Sequence, residues 1–360
     1  MTIQDYSPYV RIDYTEELTQ LPETYRAAMA ADVTAFAAWL KASADRPLLA
    51  IGAGGSLPIA QLACTLHQRA TGQLARAGEP LDIFLADDEV SNTAGLLVTA
   101  SGSHSDSLAA CAALADAAPG WAVFCGKQES TGARLLAGSR TAVFDYDLLP
   151  ELHGWIAVNA LLGQAVVLAR AYATAFPEQL GDLPAELTSL LPLGTGSVED
   201  ALTALIAELT AVFERDTLIF LHGPETRAAA LDLDSKFAES GLGHLVVSEY
   251  RNFAHGRYQM MLPLQDSSAV LAFATPREAL IADATLAVFP DHIPHACVDV
   301  PGDGAAAQQV ASLTALLLVV GALGEVRGLR PGWGSRETFG DLLYELDLGE
   351  LFRIGQGNPE

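Results

Sequence analysis

Short apolar runs that end in glycine- or hydroxyl-rich turns, each leading into a stretch with helical patterning, recur along the whole chain. This alternation restricts the fold more than any single motif does. Strands joined by helices lie parallel, and a parallel strand covered on both faces reads as a continuous apolar run. In the first half, strands are expected at Leu48–Ala53, Leu81–Leu85, Ala94–Thr99, Trp121–Cys125 and Thr141–Phe144, followed by a helix from Glu151 to about Ala175. The Pro- and Gly-marked segment Gly181–Gly196 reads as a linker. The second half repeats the grammar with strands at Thr217–Leu221, His244–Val247, Ala269–Ala274 and Ala296–Val300. Its helices are expected at Glu225–Leu242, from Pro276, and at Ala305–Val326. The alternation predicts an α/β protein of two doubly wound parallel-sheet subdomains in tandem. A helical lead (1–46), a first subdomain with its linker helix (47–180), a second subdomain (197–327) and a tail (328–360) divide the chain. With 360 residues, half of them apolar, there is enough side-chain volume for two cores.

The formal charge is −24, and the lysines number only three, Lys41, Lys127 and Lys236. Binding a nucleic-acid backbone requires clustered cations, so no nucleic-acid partner is expected. A small anionic ligand needs a local site built from backbone N–H groups and hydroxyls. The four cysteines, Cys64, Cys111, Cys125 and Cys297, are widely spaced without a pairing pattern, as in a reducing compartment. The opening MTIQDYSPYVRIDY lacks a basic segment followed by an apolar one, and the apolar stretch Ala311–Leu323 stops at Gly324 and Glu325. A cytoplasmic protein with no membrane partner is the expectation.

Two turns suit an anion. In LLAIGAGGSLPIA, Gly52, Gly54, Gly55 and Ser56 follow an apolar strand where a helix begins, and free N–H groups at a helix start favour negative charge. A dinucleotide fingerprint would need a third glycine where Leu57 stands, and the acidic cluster Asp87, Asp88 and Glu89 lies too far along. In LLVTASGSHSDSLAACAALADA, Thr99, Ser101, Ser103, Ser105 and Ser107 crowd the turn between strand and helix. Hydroxyls with helix-start N–H groups can hold a phosphate dianion without a cationic side chain. The plainer alternative is that the serines only cap the helix. The group His292, His295 and Cys297 in DHIPHACVDV lacks a second cluster to complete a metal site. Neither metal nor cofactor is expected.

The G-G-S turn (Gly54, Gly55, Ser56) and the run T-A-S-G-S-H-S-D-S (Thr99 to Ser107) resemble the Gly-x-Ser turn and Ser-x-Ser-Gly-x-Thr loop of the sugar-isomerase (SIS) domain family. The resemblance implies two flavodoxin-like SIS subdomains in which Gly54, Gly55, Ser56, Thr99, Ser101 and Ser103 surround a sugar phosphate. The family's threonine position falls on His104, with Ser105 one residue further. The stretch AALDLDSKFAESGLGHLVVSEYRNFAHGRYQM resembles the catalytic segment of tandem SIS isomerases, with Glu239 and His255 sixteen positions apart. By that resemblance Glu239 is the base that moves a proton between neighbouring carbons through an enediol, and His255 opens the sugar ring. A histidine suits ring opening because its pKa lies near neutrality. Taken without the resemblance, Glu239 reads equally as a solvated helix-end residue, and His255 as a hydrogen-bonded loop histidine. The same resemblance implies a homodimer with shared active sites, the histidine of one chain facing the glutamate of the other. Removal of an amine from a sugar-phosphate adduct and non-catalytic sensing are the alternative uses of such a pocket. The tail, G-L-R-P-G-W-G-S-R, keeps Gly328, Pro331 and Arg336 of the family pattern, but Arg330 and Gly332 replace its acids and Gly340 its lysine.

Overall fold

The structure, a computed structural model, describes residues 12–84, 93–115, 120–148, 154–332 and 338–352. The chain begins with α1 (Tyr14–Thr19), whose start is capped by Asp13 accepting the Thr15 N–H at 3.1 Å, then α2 (Leu21–Ala30) and α3 (Thr34–Ala42). Next come β1 (Leu48–Ile51), a 3-10 turn at Gly54–Ser56, α4 (Leu57–Thr71), β2 (Ala75–Gly78) and α5 (Pro80–Phe84). They are followed by β3 (Ala94–Thr99), α6 (Ser105–Ala115), β4 (Trp121–Cys125), α7 (Thr131–Leu135) and β5 (Ala142–Asp145). All pairings in this sheet are parallel, in the order β2-β1-β3-β4-β5. Helices α8 (Asn159–Ala175), α9 (Pro177–Leu180) and α10 (Val198–Phe213) lead to the second sheet.

The second series consists of β6 (Thr217–His222), α11 (Arg227–Ser240), β7 (His244–Glu249), α12 (Tyr250–Ala254), a 3-10 stretch at Arg257–Ser267 and β8 (Ser268–Ala274). Then follow α13 (Ala279–Leu286), β9 (His295–Asp299), the long α14 (Ala305–Arg327), α15 (Thr338–Tyr344) and α16 (Leu348–Leu351). This sheet is also parallel, in the order β7-β6-β8-β9. The expected tandem α/β architecture is present.

The strand expected at Leu81–Leu85 is not where the sequence put it. Residues Pro80–Phe84 form a helix, Leu85 lies outside the described residues, and the second strand is Ala75–Gly78. That strand is an edge, covered on one side only, so it needs no apolar run. Pro80 starts a helical turn, and the Asp82 carboxylate accepts the Glu79 N–H at 2.8 Å. The helix expected from Glu151 begins at Asn159; residues 149–153 lie outside the description, and Gly154–Val158 run as non-helical chain.

One apolar cluster joins both halves, gathering α1 to α4, α8, α10, α11 and α14 with one face of each sheet. Leu316, Leu317 and Leu318 are successive and fully buried, which requires α14 to be covered on every side. With mean hydropathy 1.8 over its most apolar window, α14 is long and apolar enough to cross a membrane, yet 89% of that window is buried inside the protein. Tyr14 Oη donates to the Leu317 carbonyl at 3.0 Å, and Arg327 reaches the carbonyls of Phe213, Arg215 and Leu242, so α14 is tied down at its middle and at its carboxyl end.

Candidate active site

In each sheet the strand order reverses beside the first strand, between β1 and β3 and between β6 and β8, and such a reversal is where a parallel α/β sheet leaves a crevice at the carboxyl ends of its strands. At the first crevice β1 runs into the Gly54–Ser56 turn. Gly54 takes φ +50°, and Ser56 is buried with no hydrogen-bond partner for its hydroxyl among the described residues. Beside it, β3 delivers Thr99. Its Oγ1 accepts the Gly102 N–H at 3.2 Å and shares a hydrogen bond with Ser107 Oγ at 3.0 Å. Its carbonyl accepts from Gln164 Nε2 of α8 at 2.9 Å. Gly102 is required here twice over: φ is +60°, and a Cβ would come within 2.5 Å of Ser130 Oγ. The turn so fixed presents the hydroxyls of Ser101 and Ser103, 2.8 Å apart, at the mouth of the crevice.

His104 and Ser105 face the tail. His104 Nε2 lies 3.0 Å from the Tyr344 carbonyl, its ring meets the Tyr344 ring edge-on at 4.4 Å, and Ser105 Oγ donates to the Leu346 carbonyl at 3.2 Å. Nδ1 accepts the Asp106 N–H at 3.3 Å, so the tautomer protonated on Nε2 satisfies both contacts. The tail thus covers two positions that the sequence assigned to phosphate.

Glu239 stands in the last turn of α11, exposed, and accepts a hydrogen bond from Ser235 Oγ. Helix α11 packs on α4 and on the Gly54–Ser56 turn. Arg69 near the end of α4 lies 3.7 Å from Glu225, just ahead of α11, so the two helices run antiparallel and the end of α11 lies toward the Gly54–Ser56 turn. Ser240 Oγ accepts the Gly332 N–H at 2.8 Å, Gly332 lies against Ile156, and Trp155 sits 6.2 Å from the Tyr344 ring.

His255 follows α12 and is exposed, with no partner for its ring among the described residues. Glu249, which flanks it, is committed to capping α12 by accepting the Arg251 and Asn252 N–H groups at 2.9 and 2.8 Å. Glu239 precedes β7 and His255 follows it, so the two lie toward opposite ends of that strand. Its six residues span roughly 20 Å. Within one chain, β7 thus stands between the pair.

No family model matches the sequence, and no curated protein matches it. Solved structures do. A candidate phosphosugar isomerase from Silicibacter pomeroyi DSS-3 aligns with a TM-score of 0.64 at 18% identity, over 89% of this chain and 100% of that one. The chain has the tandem sugar-isomerase fold. Tagatose-6-phosphate ketose/aldose isomerase from Escherichia coli gives 0.65 at 16% identity, covering 91% of this chain and 99% of that one. Glucosamine-6-phosphate deaminase from Thermotoga maritima gives 0.61 at 14%, covering 89% and 96%.

Within this SIS fold a buried charged group lies behind Glu239 that the sequence reading missed. Lys236 and Asp232, one turn apart on α11, form a buried ion pair at 2.8 Å, and Glu17 and Tyr14 of α1 lie near them. Burial pushes the Glu17 carboxyl up to about 7, against the opposing pull of the Gly154 amide and the Lys236 ammonium. Burial likewise raises Asp232, opposed by Lys236. The available signal was the rarity of lysine: one of only three stands four residues after an aspartate on the helix that carries Glu239. Elsewhere, His292 Nε2 pairs with Gln265 Oε1 at 3.0 Å, His295 Nδ1 with the Ile293 carbonyl at 2.8 Å, and burial lifts the Cys297 thiol to about 12. No cluster of three or more potential metal ligands occurs among the described residues.

Proposed function

We propose that this chain is a sugar-phosphate isomerase, moving a proton between neighbouring carbons through an enediol. The observation that carries the reading is an exposed carboxylate, Glu239, on the helix end that borders a crevice lined by backbone N–H groups and hydroxyls. In a chain of charge −24, a lysine-free cradle is how a phosphate can be held locally. The amides of Gly54 and Gly55 with the hydroxyls of Ser56, Ser101 and Ser103 take the phosphate. Thr99, already bonded to Gly102 and Ser107, sets the loop. His104 and Ser105 form the rim under the tail.

Glu239 then removes the proton beside the carbonyl and returns it to the adjacent carbon, which one carboxylate can do if it faces both. His255 opens the ring from a second copy of the chain, because its own copy holds it toward the far end of β7 from Glu239. Tyr258, Met260, Leu262 and Leu264, which follow His255, are exposed apolar residues of the kind a dimer would cover. A non-catalytic sensor is the second reading, favoured by Gly340 standing where similar synthases carry a lysine. The structural neighbour named as a deaminase marks amine removal as the related chemistry.

Solvent-deuterium incorporation into hexose, pentose and amino-sugar phosphates tests the reading. The wild type is expected to exchange the proton next to the carbonyl, and Glu239→Gln to bind without exchanging, since only the transition state needs the base. Full exchange in Glu239→Gln would refute the mechanism; binding without exchange in the wild type would leave the sensor.

A further inference from the structure

The second sheet repeats the first, with β6 in the place of β1 and β8 in the place of β3. The same rule that puts an anion at the first crevice therefore asks what lies at the ends of β6 and β8. There, Gly223-Pro224-Glu225-Thr226 leads into α11, and Thr275-Pro276-Arg277-Glu278 leads into α13. The Glu278 side chain fills the space between these turns and is only 5% exposed. Its Oε1 accepts the Glu225 N–H at 2.7 Å, and its Oε2 accepts the Thr275 N–H at 3.2 Å and shares the Thr226 hydroxyl proton, at 3.3 Å, with the Phe273 carbonyl at 3.4 Å. The single proton of the Thr275 hydroxyl is shared between Glu278 at 3.3 Å and Glu225 at 2.8 Å. Two backbone amides and two hydroxyls are the donors a phosphate oxygen cluster would use.

Two further features fit a filled site. A Cβ at Gly223 would overlap the Glu278 carboxylate, so a side chain at this position would displace that carboxylate from its donors. Gln309 of α14, 1% exposed, donates through Nε2 to the Glu225 carbonyl while its Oε1 has no partner among the described residues. The Glu225 carboxylate is itself held by Arg277 at 2.8 Å and by Arg69 of α4 at 3.7 Å, which locks the turn to the first half. Glu249 and Asp299 end the flanking strands β7 and β9, so an incoming anion would also meet negative charge.

We propose that Glu278 is a built-in stand-in for phosphate: the second crevice is an anion site that the chain occupies with its own carboxylate, leaving one phosphate site per chain. The same contacts clamp the start of α11, the helix whose last turn carries Glu239. The count of one rests on the first crevice being the ligand site; the filling of the second does not.

Equilibrium dialysis with radiolabelled inorganic phosphate reads the stoichiometry. The wild type is expected to bind one phosphate per chain and Glu278→Ala two, while Glu278→Gln, which keeps the crevice filled, stays at one. A second saturable site in the wild type would overturn the proposal, as would an unchanged count in a cooperatively melting Glu278→Ala. Should Glu278→Ala fail to fold in chloride, refolding in inorganic phosphate at matched ionic strength is the deciding measurement. Recovery in phosphate alone supports the stand-in, and equal failure in both salts overturns it. Ser101→Ala separates the two readings: no effect on wild-type binding would sink the first crevice, yet the gain of one phosphate on Glu278→Ala would still be seen.

Discussion

Glu17 illustrates how little a single residue's chemistry can be read from its neighbours in sequence. In YTEELT it is one of two adjacent acids, Glu16 and Glu17, and only Glu17 is enclosed, 1% exposed beside Tyr14, Asp232 and Lys236. The partners come from α1 and α11, more than two hundred residues apart in the chain. With the carboxyl raised from an ordinary 4.5 to about 7 in the fold, the folded state holds the proton more tightly than the unfolded chain does. Stability from this group is therefore full below pH 4.5 and lost as pH rises to about 7, by about 3 kcal/mol at most. Glu17→Gln should abolish that loss. Urea melts of wild type and variant at pH 5 and pH 8 check it: the variant's advantage should appear only at the higher pH, and an equal difference at both would exclude titration of Glu17 as the cause.

At the scale of elements, the tail and the edge strand behave differently from the core. The strand β2, Ala75–Gly78, has no apolar run because only one neighbour covers it, and hydrophobic pattern alone could not distinguish it from a loop. Helix α14 was legible for the opposite reason, since an element buried on all sides is apolar throughout. Helix α15 presents Phe339, Leu342 and Leu343 to solvent and α16 presents Leu351, yet the end of α15 and the turn after it set the carbonyls of Tyr344 and Leu346 on His104 and Ser105. Truncation after Gly332 should therefore lower the melting temperature little, because the large apolar side chains described in the tail are exposed. It should also weaken sugar-phosphate binding about tenfold, equivalent to 1.4 kcal/mol, by releasing the rim of the crevice. Calorimetric titration alongside a thermal melt tests both. Unchanged affinity would make the tail a bystander.

For the whole molecule, the decisive relation is between Glu239 and His255. They flank one strand, β7, which sets them toward its opposite ends. If both serve one reaction, two copies must meet, and mixing Glu239→Gln with His255→Ala should restore part of the activity through hybrid dimers with one intact site. Recovery is expected to rise to about a quarter of the wild-type rate when equal amounts exchange freely, by random pairing with one good site in half of the dimers. Absence of recovery in samples shown to exchange subunits would put the two residues in separate roles. The sequence by itself determined the alternation of strand and helix, and hence the tandem parallel sheets, because burial on both faces leaves a continuous apolar signature. It also marked the two turns after β1 and β3, where glycine and hydroxyl density reflect local backbone demands. Only the tertiary structure decided that His104 and Ser105 meet the tail, that Glu17 joins Lys236 and Asp232, and that Glu278 fills the second crevice. Each of those contacts joins residues whose separation along the chain carries no periodic pattern, so each depends on how finished elements pack.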